Sequence, residues 1–167
     1  GLNYLAGLQS RMVEMSLASA TTPNAYRRRQ PFTFCPINTA WSVDNRTVGL
    51  RVIEGKDAAV RVEKRDGSAD CNPYYLLACE IAAGLDGIAQ GLRPTEPTPG
   101  NAYLSEDAEA IPTDLATALE LARGSAFMAE VIGEDALGIL TGQGERELEF
   151  FASQVTPVER ERYLTSM

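Results

Sequence analysis

In the stretch Ala58-Ala59-Val60-Arg61-Val62-Glu63-Lys64-Arg65, apolar and charged side chains alternate. Successive side chains of a strand point to opposite faces, so Val60 and Val62 share one face while Arg61, Glu63 and Arg65 share the other. The pattern predicts a β-strand with an apolar side and a row of alternating charge. Upstream, Ile37 to Ile53 is rich in β-branched and aromatic residues (Ile37, Thr39, Trp41, Val43, Thr47, Val48, Val52, Ile53), which predicts two short strands broken near Asp44-Asn45. Glu54 to Asp57 reads as a polar turn, and Asp66, Gly67 and Ser68 end the charged strand.

Outside the strands the pattern is helical. Leu2, Leu5, Leu8, Met12 and Met15, with Val13 and Leu17, suit a core-facing helix. Thr21 to Pro36 carries turn formers and three consecutive arginines, and reads as an ordered loop. Loops above about 12 to 15 residues in compact domains tend to be functional or disordered. Asn72-Pro73 supplies an N-cap and a first-turn proline for a helix to about Leu92. Its predicted buried stripe is Leu77, Ile81, Leu85, Ile88 and Leu92, with Ala78, Ala82, Ala83 and Gly84 allowing close approach of neighbours. A loop rich in Pro, Thr and Gly from Arg93 to Pro112 precedes helices predicted near 114–123, 125–132 and 135–154. Gly138, Gly142 and Gly144 each weaken the third by about 1 kcal/mol if they lie mid-helix. Thr156-Pro157-Val158-Glu159 has the form of a capping box opening a last helix. Helix, then strands, then helices predicts an α+β fold with antiparallel strands followed by a C-terminal helical region.

Composition narrows the function classes. An apolar content of 44% in 167 residues fills one hydrophobic core. No run approaches the roughly 20 apolar residues of a membrane span, and Arg11 and Glu14 interrupt the opening segment, so neither a membrane partner nor a signal peptide is expected. The start at Gly1, directly in a core-facing pattern, reads as a truncated piece. Cys35, Cys71 and Cys79 lack the short spacing of a zinc or redox motif, which predicts reduced thiols and a cytoplasmic location. The chain contains no histidine, which excludes a Ser-His-Asp or Cys-His catalytic unit within it. Charge is unevenly distributed. Residues 1–65 hold ten Lys and Arg against five Asp and Glu, a net +5; residues 66–167 hold five against eighteen, a net −13. The overall −8 argues against nucleic acid as the main partner.

The positive half contains the candidate chemistry. Two stretches stand out, Asn45-Arg46 followed by Arg51, and Arg61 to Arg65, where strand alternation places the guanidiniums of Arg61 and Arg65 and the carboxylate of Glu63 on one face about 6.5 to 7 Å apart. Planar guanidinium forks suit phosphate and carboxylate recognition. A cross-strand salt-bridge ladder on a solvated face explains the same pattern without function. Arg46 and Arg51 have opposite strand parity, so either Arg46 lies at the strand entrance or a bulge intervenes.

Six stretches then resemble one family in order and spacing. They are Pro23-Asn-Ala-Tyr-Arg-Arg-Arg29, Trp41-Ser-Val-Asp-Asn-Arg-Thr-Val-Gly-Leu-Arg51, Arg61-Val-Glu-Lys-Arg65, Asp70-Cys-Asn-Pro-Tyr-Tyr-Leu76 with Ala83-Gly-Leu-Asp-Gly-Ile88, and Gln154-Val-Thr-Pro-Val-Glu-Arg-Glu-Arg-Tyr163. Together they resemble the glutamine synthetases and their ligase relatives over about residues 20–165. The resemblance implies that residues 1–167 are the C-terminal portion of a glutamine synthetase-like catalytic domain, lacking the β-grasp domain and the first part of the catalytic domain. It implies glutamate contacts at Arg28 and Arg65, phosphate contacts at Arg46 and Arg51, with Arg46 at the transferring phosphoryl group, a further nucleotide contact at Arg61, and a Mg²⁺ or Mn²⁺ ligand at Glu63. ATP, a glutamate-type substrate and an amine are the implied reactants, and a homo-oligomer the implied assembly. Phosphoryl transfer depends on charge neutralisation and positioning more than on a protein nucleophile, which accommodates the missing histidine.

Glutamine synthetases carry a glutamate two residues before the proline matching Pro36, where it helps bind and deprotonate ammonium; here that residue is Phe34. An aromatic ring accepts no proton, so an organic amine or polyamine is expected in place of ammonia. A one-residue register error in this alignment, or a loop that serves ordinary glutamine synthesis by another route, stays open as an alternative. So do a non-catalytic assembly or binding module and an anion- or RNA-binding module built on Arg27 to Arg29. With one metal carboxylate of the several required, the chain alone is expected to be inactive.

Overall fold

A computed structural model describes residues 1–56 and 59–164. Asp57 and Ala58, the last residue of the expected turn and the first of the expected charged strand, lie outside them. In chain order the elements are α1 (Leu2–Arg11), α2 (Ser16–Ser19), α3 (Pro23–Arg27), β1 (Trp41–Val43), β2 (Leu50–Ile53), β3 (Arg61–Lys64), α4 (Pro73–Ala89), a 3-10 turn (Ala102–Leu104), α5 (Leu115–Gly124), α6 (Ala126–Ile132), α7 (Glu134–Ala152) and α8 (Pro157–Leu164). The α+β architecture is as expected, with a small sheet embedded among helices.

The sheet has the order β1-β2-β3. β2 and β3 are antiparallel, with Arg51 opposite Glu63 and Val52 opposite Val62. β1 runs parallel to β2, Trp41 facing Leu50, which differs from an all-antiparallel sheet. Parallel neighbours ordinarily need a long crossover. These strands are only three and four residues long, so the connection 44–49 has little distance to retrace, and Asp44 helps by turning at φ 47°.

α1 and α4 form the central packing. A Cβ on Gly7 would lie 2.0 Å from the carbonyl oxygen of Ala83, and one on Gly87 would lie 2.2 Å from that of Asn3. The two backbones therefore touch through a seam of glycines. This settles which side of α4 is buried: Cys79, Ala83, Gly84 and Gly87 face inward. The stripe expected to be buried, Leu77, Ile81, Leu85 and Ile88, is instead 53–56% exposed. Size alone favours burying the larger residues, but only the small-residue face permits backbone contact with α1. Leu92 lies beyond the helix end at Ala89.

The remaining core joins Leu5, Leu8, Met12, Met15 and Leu17 to Tyr26, Trp41, Leu50 and the inner faces of α5, α6 and α7. The segment expected as a loop from Thr21 contains α3, because Thr22 accepts from the backbone N–H of Ala25 and Pro23 opens the first turn. The capping box forms as expected: the Thr156 N–H donates to Glu159 Oε2 at 2.7 Å and the Glu159 N–H to Thr156 Oγ1 at 3.2 Å. Gly138, Gly142 and Gly144 all lie within α7, and Gly144 is the site where Leu119 of α5 packs closest. No helix among the described residues is long and apolar enough to cross a membrane.

Candidate active site

Arg46, Arg51 and Arg65 gather at one end of the sheet with Glu63, Arg28 caps the end of α3, and Arg61 stands apart at the other end of β3. β2 and β3 set Arg51 directly opposite Glu63, and a 3.3 Å ion pair joins Arg51 Nη1 to Glu63 Oε2. The other arm, Nη2, reaches Asp44 Oδ1 at 3.0 Å. Arg65 follows β3 and its Nε lies 3.7 Å from the same Glu63 oxygen. Its Nη1 donates to the carbonyls of Arg46 and Val48, and its Nη2 to that of Phe34 at 2.9 Å. Arg65 is thus the hub that ties the β1–β2 connection and the loop carrying Phe34 to the end of β3.

Arg46 lies in the β1–β2 connection, before β2 begins, which resolves its parity against Arg51 without a bulge. Its side chain is exposed and no hydrogen-bond or ion-pair partner for it is found among the described residues. Arg61 stands at the opposite end of β3, facing Ile53, and donates to the carbonyl of Ala59 at 3.1 Å. Arg28 is joined to the group through the backbone, its Nη2 donating to the carbonyls of Asp66 at 3.0 Å and Gly67 at 2.6 Å. A cleft of about 560 Å³ beside it is lined by Asn24, Ala25, Arg27, Arg28, Ser68, Ala69 and Asp70. That cleft does not include Arg46, Arg51, Glu63 or Arg65.

The loop after Arg28 has an aromatic rim. Phe32 and Phe34 adopt φ of 65° and 59°, a left-handed conformation uncommon for bulky side chains, and both rings are exposed. The Thr33 hydroxyl donates toward the carbonyls of Arg28 and Gln30, and Tyr103 hydrogen-bonds the Cys35 carbonyl at 3.0 Å, its ring 5.4 Å from that of Phe32. Tyr103 was not visible as a site neighbour in the sequence, because it comes from the long loop 93–112 and nothing local points it at Cys35. Asp44, read only as a strand break, likewise turns out to brace Arg51.

Glu63 is the single candidate metal carboxylate. It is already shared by two arginines, and among the described residues no group of three His, Cys, Asp or Glu side chains is arranged to hold a metal ion. A divalent cation of this type takes about six oxygen ligands, so the residues present do not fit a metal by themselves. The cysteines carry no sign of nucleophilic activation: burial pushes the Cys79 thiol up to about 11, and burial also raises Cys35 and Cys71.

What this cluster belongs to is shown by comparison. A family model described as glutamine synthetase, catalytic domain, matches residues 1–163. The chain is 39% identical over 165 residues to the gamma-glutamylethanolamide synthetase of Streptomyces coelicolor, covering 99% of this chain and 35% of that protein. It is 40% identical over 135 residues to a glutamate-isopropylamine ligase of a Pseudomonas species, covering 79% and 29%. It is 30% identical over 171 residues to the glutamine synthetase of Methanosarcina mazei, covering 98% and 38%. Among solved structures, an ADP complex of GmaS superposes with a TM-score of 0.84 at 26% identity, covering 98% of this chain and 39% of that one. The chain spans well under half the length of each of these proteins. The arginines on β2, β3 and their loops therefore lie within a recognised catalytic domain, and the chain belongs to the glutamine synthetase catalytic-domain family.

Proposed function

We propose that this chain is the C-terminal portion of the catalytic domain of an ATP-dependent ligase that joins the γ-carboxylate of glutamate to an organic amine. In the first step a γ-carboxylate oxygen attacks the γ-phosphorus of ATP, the bond to the bridging oxygen breaks, and ADP leaves. In the second the amine nitrogen attacks the acyl carbon, loses a proton and expels inorganic phosphate, leaving the γ-glutamyl amide. In this reading Arg28 and Arg65 hold glutamate; Arg46, Arg51 and Arg61 neutralise the nucleotide phosphates, Arg46 nearest the phosphoryl group in flight; and Glu63 would be one ligand of a Mg²⁺ or Mn²⁺ ion that further groups of a longer protein would have to complete. Such a preorganised positive array is the main protein contribution to phosphoryl transfer. The longer ligase would be a cytoplasmic homo-oligomer, and this chain alone inactive.

The observation that carries the choice of amine is the aromatic rim. Phe34 stands where a proton-accepting carboxylate is needed to use ammonium, and it is held beside the candidate site by the Arg65 bond to its carbonyl. Phe32 and Tyr103 extend the apolar surface. Two of the relatives are named for organic amines, ethanolamine and isopropylamine, which supports the reading. Glutamine synthesis from ammonia is the second reading, favoured by the relatives named glutamine synthetase. Phosphate release by the longer ligase with ATP, glutamate and either ammonium, ethanolamine, isopropylamine or putrescine decides between them. The proposal expects an organic amine to give the higher kcat/KM; faster turnover with ammonium would replace it with the second reading.

A further inference from the structure

Behind the exposed arginines lies a second charged cluster that the proposed reaction does not touch. The side chains of Arg29 and Asp66 are both fully buried. Arg29 Nη1 donates to the Pro112 carbonyl at 2.7 Å, and its guanidinium lies over the Tyr26 ring at 4.7 Å. Its Nη2 faces Asp66 Oδ2 at 3.8 Å. Asp66 Oδ1 accepts from Lys64 Nζ at 2.7 Å, and Lys64 also donates to Ser19 Oγ at 2.7 Å and lies 3.5 Å from Glu80. Arg29 Nε and Nη2 and Asp66 Oδ2 make no hydrogen bond, so charge alone holds the pair. Apolar side chains of similar volume usually fill such a space with equal or greater stability. A buried pair in this place therefore calls for a use other than stability.

The use follows from chain adjacency. Arg29 is the next residue after Arg28, and Asp66 the next after Arg65. The pair thus clamps together, from inside, the two backbone points from which the candidate glutamate arginines project. The backbone carbonyl of Asp66 also receives the Arg28 guanidinium. We propose that Arg29 and Asp66 are positioning residues: their buried pairing fixes the separation and direction of Arg28 and Arg65 against the glutamate carboxylates. This rests on the ligase reading.

The test uses the longer ligase carrying this chain, with KM for glutamate, KM for ATP and kcat measured for Asp66→Asn, Arg29→Gln and Arg29→Lys, and Arg28→Ala as a reference. A displacement of about 1 Å in such a site costs about 100-fold. In Asp66→Asn and Arg29→Gln the glutamate KM is expected to rise by about 10- to 100-fold while the ATP KM stays within about threefold, and Arg29→Lys, which keeps the charge facing Asp66, should restore most of the loss. An unchanged glutamate KM in either neutral variant overturns the proposal. So does a parallel rise in both KM values, which marks a general loss of structure. If Asp66→Asn yields no folded protein, the two Arg29 variants decide by the same criteria. If Arg28→Ala itself leaves the glutamate KM unchanged, the ligase assignment falls and the proposal with it; a large Arg28 effect beside silent Arg29 and Asp66 variants overturns the proposal alone.

Discussion

Individual side chains at the site differ in how much they are already engaged. Arg51 is clamped between Asp44 and Glu63, and Arg65 donates to three backbone carbonyls, whereas Arg46 presents an exposed guanidinium. Arg46→Ala in the longer ligase should therefore lower kcat by about 10³-fold or more, with unfolding free energy changed by less than about 0.5 kcal/mol. Steady-state kinetics and denaturant unfolding on the same preparation check both halves. Asp66 carries a pH signature. Burial raises its carboxyl, but the charges of Lys64 and Arg29 and hydrogen bonds from Lys64 and Ser19 outweigh that and hold it below the ordinary aspartate range. A depressed folded-state value contributes stability that is complete above the unfolded-state pKa, about 3.9, and is lost as pH falls through the lower folded value. Acid unfolding of Asp66→Asn should accordingly show a shallower loss of stability below about pH 4 than the parent, followed by circular dichroism. At this scale the sequence singled out Arg28, Arg46, Arg51, Arg61, Glu63 and Arg65 as candidates through their motifs. It did not reveal Arg29 or Asp66 as partners: Arg29 looks like one more cation in a run and Asp66 like a strand-ending turn residue, and burial of a charge is set only when α3, β3 and residue 112 come together.

Secondary-structure elements were legible where local chemistry dictates them. Caps and first-turn prolines at Asn72-Pro73 and Thr156-Pro157 start helices where they stand, the same signal at Thr22-Pro23 starts α3 inside a segment that reads as a loop, and the helices after residue 112 fall within a few residues of their predicted bounds. Pairing was less legible, because the parallel β1–β2 contact depends on strand shortness and the backward turn at Asp44. The orientation of α4 was misread because periodicity finds apolar stripes but does not rank a stripe of leucines against one of glycines. The glycine seam makes a sharp prediction. Gly87→Ala puts a methyl group against the backbone of α1 and should destabilise by about 1–3 kcal/mol or more in urea unfolding. Gly138→Ala, mid-α7 with nothing within 4 Å of the new Cβ, should stabilise by about 0.5–1 kcal/mol.

For the molecule as a whole, the outward stripe Leu77, Ile81, Leu85 and Ile88 is a continuous apolar surface of the kind monomeric proteins rarely leave in water. The isolated chain is expected to self-associate through it. Ile81→Glu with Leu85→Glu should lower the apparent mass seen in light scattering without lowering Tm, since neither side chain contributes to the core; unchanged association would locate the sticky surface elsewhere. The seam between α1 and α4 also sets the timing of assembly. On the ribosome, where chains grow at about 5–20 residues per second, α1 emerges roughly 4 to 16 s before the last residue of α4 that it packs against. During that interval the Gly7 face of α1 lacks the α4 backbone it will touch, so this seam closes only after Ala83 and Gly87 have emerged.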